Sequence, residues 1–425
     1  MSIIGSNAMK AVVGLALGAA IAIGCSSTST GSTSTTTTTT TTTSTGSTAS
    51  AWNGQGDGIW RRNAVYAETV TFDPCNAHQP GNGEYHYHDN PVCLRYQVGD
   101  NITGTNVGTT TATFKESTGT LVHSPILGWA FDGYPVYGPY GYSSCGTGAA
   151  SSGIRRITPS YGLRTDNTAT RTTLPAWAAA YQGISAMLTS TEVGPPVSTT
   201  YPLGRYIEDY DYFAGSGDLD AYNGRFCPTP DFPNGTYAYY VTISASGAPA
   251  FPYYLGPQFY GTVAGGNVTS VTETTTSYFA NHAVQGNTSL VPQIASWLFK
   301  NSSQYAEVIS QSNPSAGALT TWSGNTSPVY ADVQGVSYST GYVYVKVPGL
   351  ASHVMGPWYL DAGKTQQFPN YPTNQNATSR IPLTAAAASS KVATAGGAQG
   401  RWINGVAMYN MLDFHSWSYS AQADQ

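Results

Sequence analysis

The run Tyr85-His86-Tyr87-His88 is the stretch of this chain best suited to chemistry. In an extended strand, side chains i and i+2 share a face. The spacing therefore predicts His86 and His88 side by side, with Tyr85 and Tyr87 on the opposite face. Their Cα atoms would stand about 7 Å apart, close enough for two imidazoles to meet at one metal ion. His78 precedes the run and His123 follows it, so four of the seven histidines fall between 78 and 123. That crowding favours a metal site over a half-buried strand whose imidazoles bond backbone carbonyls. The expected ligands are His86, His88 and His123, with His78 as a fourth ligand or as an orienting partner. Neutral imidazole suits Zn, Cu, Fe and Ni alike; copper or zinc is the expected ion.

Other constellations carry less. Asp132, in a turn-rich loop nine residues after His123, is expected either to supply an oxygen ligand or orient a histidine, or to bond its own backbone as a turn aspartate. Glu208, Asp209, Asp211, Asp218 and Asp220 form an acidic cluster that could offer oxygens to calcium. Tyr222 falls where the regular calcium loop needs an oxygen, which favours a solvated acidic loop. His282 and His353 have no ligand-type neighbours in sequence and read as structural. No nucleophile elbow, phosphate loop or dinucleotide fingerprint is present.

The elements around these residues read as mainly β, with a few short helices and Tyr/Gly/Pro-rich loops. Residues 237–243 and 342–347 are aromatic and β-branched runs bounded by turn residues, and predict strands. Helical spacing of apolar residues predicts short helices at 174–187 and 290–311. A composition break near 261–275 divides a histidine-bearing region, 52–262, from a second β-rich unit, 263–383. Two packed units are expected. An Ala/Ser/Gly-rich stretch, 384–400, reads as a linker into an aromatic final segment, 401–425, expected to pack back on the first region. Only 9% of residues are charged, against about 25% in ordinary globular proteins. Seventeen basic against 22 acidic residues leave no basic patch for nucleic acid.

At the start of the chain, Met9-Lys10 is followed by an apolar run from Ala11 to Gly24 and then Cys25. This is the pattern of a bacterial export signal rather than a membrane span. Ala22-Ile23-Gly24-Cys25 resembles the lipobox of bacterial lipoproteins, which implies a lipid on Cys25, a mature start there, and a membrane as partner. Residues 26–51 are almost wholly Ser, Thr, Gly and Ala, a composition that builds no core and reads as a disordered stalk. Ser26 resembles the sorting residue of outer-membrane lipoproteins, so the expected location is the outer membrane or cell surface. Export permits disulfides. Of the three pairings open to the remaining cysteines, Cys75–Cys93 and Cys145–Cys227 are favoured, because the first pair brackets the histidine run.

Further motifs carry a family resemblance. They are Gly56-Asp57-Gly58-Ile59-Trp60, Thr71-Phe72-Asp73-Pro74, Ala77-His78-Gln79-Pro80-Gly81, Tyr85-His86-Tyr87-His88, His123-Ser124-Pro125-Ile126-Leu127-Gly128-Trp129 and Asp132-Gly133-Tyr134-Pro135-Val136-Tyr137-Gly138-Pro139. In this order they resemble the YHYH family of bacterial proteins, from Gly54 to about Tyr260. The resemblance implies the fold family and leaves the chemistry to the residues. Segments similar to Ala351–Tyr359 and Gly405–Tyr409 occur in longer members before the Gly-Asp-Gly-Ile-Trp stretch, whereas here they follow it. The resemblance therefore implies a circularly permuted chain. His415 stands where an aromatic residue is expected.

Three functions remain open at this level: a metal-binding surface lipoprotein, a metal-dependent extracellular enzyme (a hydrolase or copper oxidoreductase), and a metal-free adhesion or scaffold module. The anchor is checked separately from these. Cys25→Ser is expected to abolish lipid labelling and detergent-phase partitioning, and unchanged labelling in that variant would reject the lipobox.

Overall fold

The aromatic and β-branched runs pair into sheets, where such side chains pack well on a pleated surface. The computed structural model describes residues 54–166, 169–286, 290–300 and 304–425, all within one compact unit. The export signal, Cys25, the Ser/Thr stalk and Trp52 lie outside the described residues. Strands hold 29% of the described residues and helices 9%, the mainly β class expected. Tyr342–Val347 is a strand over the expected span, and the 237–243 run forms the strand Thr236–Tyr240. The helix expected at 174–187 is Ala176–Gln182, closed by Gly183 in the left-handed region at φ 68°. The helix expected at 290–311 shrinks to one turn, Pro292–Ala295, and Val308–Ile309 is a strand instead. Pro292 fits the first turn of a helix, and β-branched Val308 and Ile309 suit a ladder better than a helix.

The larger sheet has eight short strands. In spatial order they are Gly224–Cys227, Thr236–Tyr240, Pro135–Tyr137, Ile126–Ala130, Gly400–Trp402, Ala407–Met408, His86–Tyr87 and Ala77–His78. Two strands from the end of the chain thus sit in the middle. Gly400–Trp402 runs antiparallel to Ile126–Ala130, with Arg401 opposite Trp129. Ala407–Met408 runs parallel to His86–Tyr87, with Ala407 beside His86. Gly405, at φ 81°, makes the turn between the two inserted strands. A six-stranded sheet lies wholly within 266–382. Residues 384–400 follow residues 257–262 closely: Phe259 N–H donates to Val392 O at 2.9 Å and Thr394 N–H to Pro257 O at 2.9 Å.

The last residues also hold the first described ones. Leu412–Ser418 pairs antiparallel with Arg61–Asn63, and the Ala64 N–H donates to Met411 O at 2.9 Å. Ala64 begins the helix Ala64–Glu68, so this pairing sets where Glu68 ends up. One continuous core runs through both sheets, from Tyr85, Tyr87 and Trp129 to Val345, Trp358 and Trp402. A smaller core joins Trp60, Leu174, Ala178 and Tyr206 to Trp417. Cys75–Cys93 and Cys145–Cys227 are the two disulfide pairs.

Within 401–425, Trp402, Met408, Met411, Leu412 and Trp417 are all buried. Burying each contributes about 1.5–3 kcal/mol, so together they rival the whole stability margin of a domain, about 5–15 kcal/mol. Deleting 401–425 is therefore expected to remove the cooperative melting transition. A truncated chain that melts as high as the full one would show the tail to be dispensable.

Candidate metal centre

Three imidazoles meet because the strand period and the ladder register agree. His86 lies in the strand His86–Tyr87, His88 follows it directly at i+2, and His78 is the direct antiparallel partner of His86. Cross-strand partners share a face, so all three rings project to one side. Gly83, at φ 76°, turns the hairpin between the two strands, a conformation glycine adopts without penalty. A Cβ there would collide with the Thr373 hydroxyl. The tyrosines fill the other face as expected. Tyr85 OH donates to Asp73 Oδ2 at 2.8 Å, and Tyr87 OH lies 2.6 Å from His353 Nε2.

Each imidazole is held from behind. His86 Nδ1–H donates to Glu84 O at 2.8 Å, and His88 Nδ1–H to Asn410 O at 2.6 Å, since a carbonyl oxygen only accepts. Thr71 gives its hydroxyl proton to Glu68 O at 2.7 Å, which leaves its oxygen to accept from His78 Nδ1–H, also at 2.7 Å. All three Nδ1 atoms thus carry protons, and the Nε2 atoms point inward as potential donors of electron pairs. His86 Nε2 and His88 Nε2 are 3.0 Å apart. Glu68 Oε2 lies 3.1 Å from His88 Nε2 and 3.5 Å from His78 Nε2. The ligand atoms of the three histidines all lie within 4.8 Å of one another. Around a tetrahedral ion with bonds of about 2.0–2.1 Å, neighbouring ligand atoms stand about 3.3 Å apart. The closest pairs here bracket that value.

The surroundings are apolar and the histidines are buried. Phe72 stacks on His88 and meets His78 edge-on, Tyr409 stacks on His86, and Phe368 leans on His78. A cleft of about 470 Å³ touches Phe72 from outside, bordered by Thr69, Asp73, Tyr359 and Lys364. Charge inside the centre follows from this burial. Burial would raise the Glu68 carboxyl, yet His78 and His88 hold it well below its ordinary range. Burial, together with His78 and His88, pushes His86 well down. Burial lowers His78 against the pull of Glu68. His88 goes the other way: Glu68 and the Asn410 carbonyl outweigh its burial and raise it. Of the three imidazoles, only His88 is thus shifted toward its charged form, with Nε2 between Glu68 and His86.

The structure brings His78, His86 and His88 together and leaves His123 apart. The His123 ring packs on Tyr137 and Tyr142, and its Nδ1–H donates to Ser124 O at 2.8 Å. The inserted strands explain this. They place Ile126–Ala130 three strand steps from His86–Tyr87, about 14 Å across the sheet. Asp132 touches no histidine: Oδ2 accepts from Tyr239 OH and the Gly261 N–H, and Oδ1 from the Tyr134 N–H. It is a turn aspartate. The acidic cluster is likewise divided among separate partners. Glu208 pairs with Arg61, Asp209 with Arg171 and Asp218 with Arg155, Asp211 accepts the Tyr212 N–H, and Asp220 accepts from Tyr237 OH and two backbone N–H groups. Among the described residues, Asp209, Asp211, Asp218 and Asp220 thus each face partners of their own. His353 lies 3.2 Å from Cys75 Sγ, but both nearby cysteines are in the disulfide and offer no thiolate. His282 packs on Tyr330. His415, partly exposed on the strand Leu412–Ser418, is no part of the three-histidine group.

Glu68 is the residue the sequence reading missed. It ends a five-residue helix ten positions before His78, and no spacing rule links it to the strand motif. Asn410 acts through its backbone, which leaves no trace in its residue type. Comparison with curated proteins and with solved structures finds no match. A family model described as YHYH protein matches residues 20–252, more than half of the chain and including all three histidines and Glu68. The chain belongs to the YHYH protein family.

Proposed function

We propose that this protein is an exported, lipid-anchored member of its family that binds a single transition-metal ion. The ligands are Nε2 of His78, His86 and His88 and the carboxylate of Glu68. The observation that carries this reading is the set of three buried Nε2 atoms turned toward one another, each with its Nδ1 proton tied outward. Such outer hydrogen bonds fix ring orientation and raise ligand basicity. Three imidazoles and one carboxylate suit zinc or copper, and copper stands above zinc in the general affinity order. Binding is favoured over catalysis because four protein ligands fill a tetrahedral ion, as in closed structural sites. Phe72, Phe368 and Tyr409 further wall the centre off.

Anchoring rests on Cys25 and its apolar leader, and the Ser/Thr stalk would hold the folded part away from a bacterial membrane. The permuted order finds support in the fold. The family match ends at 252, yet strands from 400–408 lie inside the sheet that the matched part builds.

Elemental analysis and zinc titration of the soluble part test the metal reading. His86→Ala and His88→Ala are each expected to weaken zinc binding more than about 100-fold, beyond the 10–100-fold typical of residues that only orient a ligand. His123→Ala should leave occupancy unchanged. Near-stoichiometric metal surviving in the His86/His88 double variant would refute the centre.

The pH dependence has a defined sign. Ligation needs neutral imidazole, and Glu68 with the Asn410 carbonyl raises His88, so affinity should rise with pH and begin to fall at a pH above the ordinary histidine value of about 6.5. Zinc affinity that stays constant between pH 8 and 5, measured by chelator competition, would argue against imidazole ligation.

A further inference from the structure

We propose that Tyr409 is a positioning residue for this centre, acting on His86 through its ring; the inference rests on the metal reading above. The Tyr409 and His86 ring centroids are 3.8 Å apart with planes 17° from parallel. This is the closest ring contact of any histidine among the described residues. The same tyrosine meets His88 edge-on, at 5.7 Å and 88°. One ring therefore presents its face to one ligand and its edge to the next.

The tyrosine is itself anchored at both ends. Its N–H donates to Tyr87 O at 3.1 Å, and its hydroxyl donates to Glu84 Oε2 at 3.0 Å. Glu84 is the residue whose carbonyl takes the His86 Nδ1 proton. A single residue thus grips the imidazole with its backbone and the stacked phenol with its side chain. Its other carboxylate oxygen faces the buried guanidinium of Arg401 at 3.3 Å. Arg401 in turn donates to Ser379 Oγ at 2.8 Å and Asn267 Oδ1 at 3.0 Å, on two neighbouring strands of the six-stranded sheet. The orientation of His86 is in this way referred to both sheets.

A second hold on the ring is needed for a physical reason. The terminal torsion of histidine is broad, and one hydrogen bond at Nδ1 leaves the ring free to tilt about that bond. Metal ligation needs the electron pair aimed within about 10–20° of its productive direction. Stacking on a fixed ring removes the tilt. Tyr409 lies beyond the 20–252 match, so the site's ligands and this support come from different parts of the chain.

The test uses the full soluble protein, with Zn²⁺ for affinity and Co²⁺ for the visible spectrum, which reports ligand geometry. Tyr409→Leu is expected to weaken Zn²⁺ binding about 10–100-fold and to alter the Co²⁺ bands. Tyr409→Phe keeps the ring and loses only its tether, so it should bind with intermediate affinity and a spectrum close to wild type. Tyr409→Leu with wild-type affinity and spectrum would overturn the role while leaving the metal reading intact. Tyr409→Phe as defective as Tyr409→Leu would overturn it too, because the ring would then not be what matters. Should the leucine variant fail to fold, Tyr409→Met removes the ring in its place, and wild-type affinity and spectrum there decide against the proposal. Wild-type protein that takes up neither ion sinks both readings.

Discussion

The parallel pairing of Ala407–Met408 with His86–Tyr87 is the contact on which the remaining architecture turns. Without it the larger sheet would be two pieces, because among the described residues no other strand joins the histidine hairpin to Ile126–Ala130. The same segment continues into the strand that fixes the helix ending at Glu68. Asn410, two residues past the pairing, accepts from His88, and Tyr409 stacks on His86. Three of the four groups in the centre are thus placed by a ten-residue stretch far away in sequence. Hydrogen bonds of this kind contribute modestly on average, but a buried donor left without its partner costs about 1–3 kcal/mol. The arrangement holds because all of its parts are made together.

Burial decides the chemistry of the centre more than residue type does. Imidazole in water is an even mixture of charged and neutral forms near pH 6.5. Here burial and mutual repulsion keep His78 and His86 neutral, while the negative carboxylate of Glu68 is stabilised by the charge it faces. The carboxylates further out add little negative charge at lower pH. Asp89, beside His88, is pushed by burial to about 8, and Asp413, which pairs with Arg62, is raised to about 7 by burial and the nearness of Glu68. The inward-facing atoms form one electron-rich group in a dry setting, and low polarity around it strengthens whatever positive charge sits there.

What could be read in the sequence was what depends on local periodicity. His86 and His88 share a face because a strand repeats every two residues, and Tyr342–Val347 is a strand because its side chains suit no other element so well. The two disulfides followed from bracketing and from export. His78 entered the reading through nearness alone, as a fourth ligand or an orienting partner. Its true place, directly opposite His86, depends on the register of a hairpin whose turn sequence does not declare it. His123 was expected at the centre because 35 residues is a short interval in sequence. It lies elsewhere because strands from residues 400–408 come between. Glu68 was invisible for the same reason in reverse, since a distant strand carries it in. The 290–311 helix failed where Val308 and Ile309, apolar at the right spacing, found a ladder partner in Ala318–Leu319.

The insertion also has a consequence for how the molecule reaches its folded form. A contact between residues 86 and 407 closes a loop of more than three hundred residues, and such pairings come late in folding. Until the final strands arrive, the strand carrying His86 has an open edge, with unpaired amides that invite pairing with another chain. Its length is the safeguard. At two residues the edge is too short to template a stable intermolecular ladder, and Ile126–Ala130, on the far side of the insertion, waits with an open edge of only five. The brevity of these strands, which looks like irregularity in the finished sheet, keeps the half-folded chain from finding a partner other than its own end.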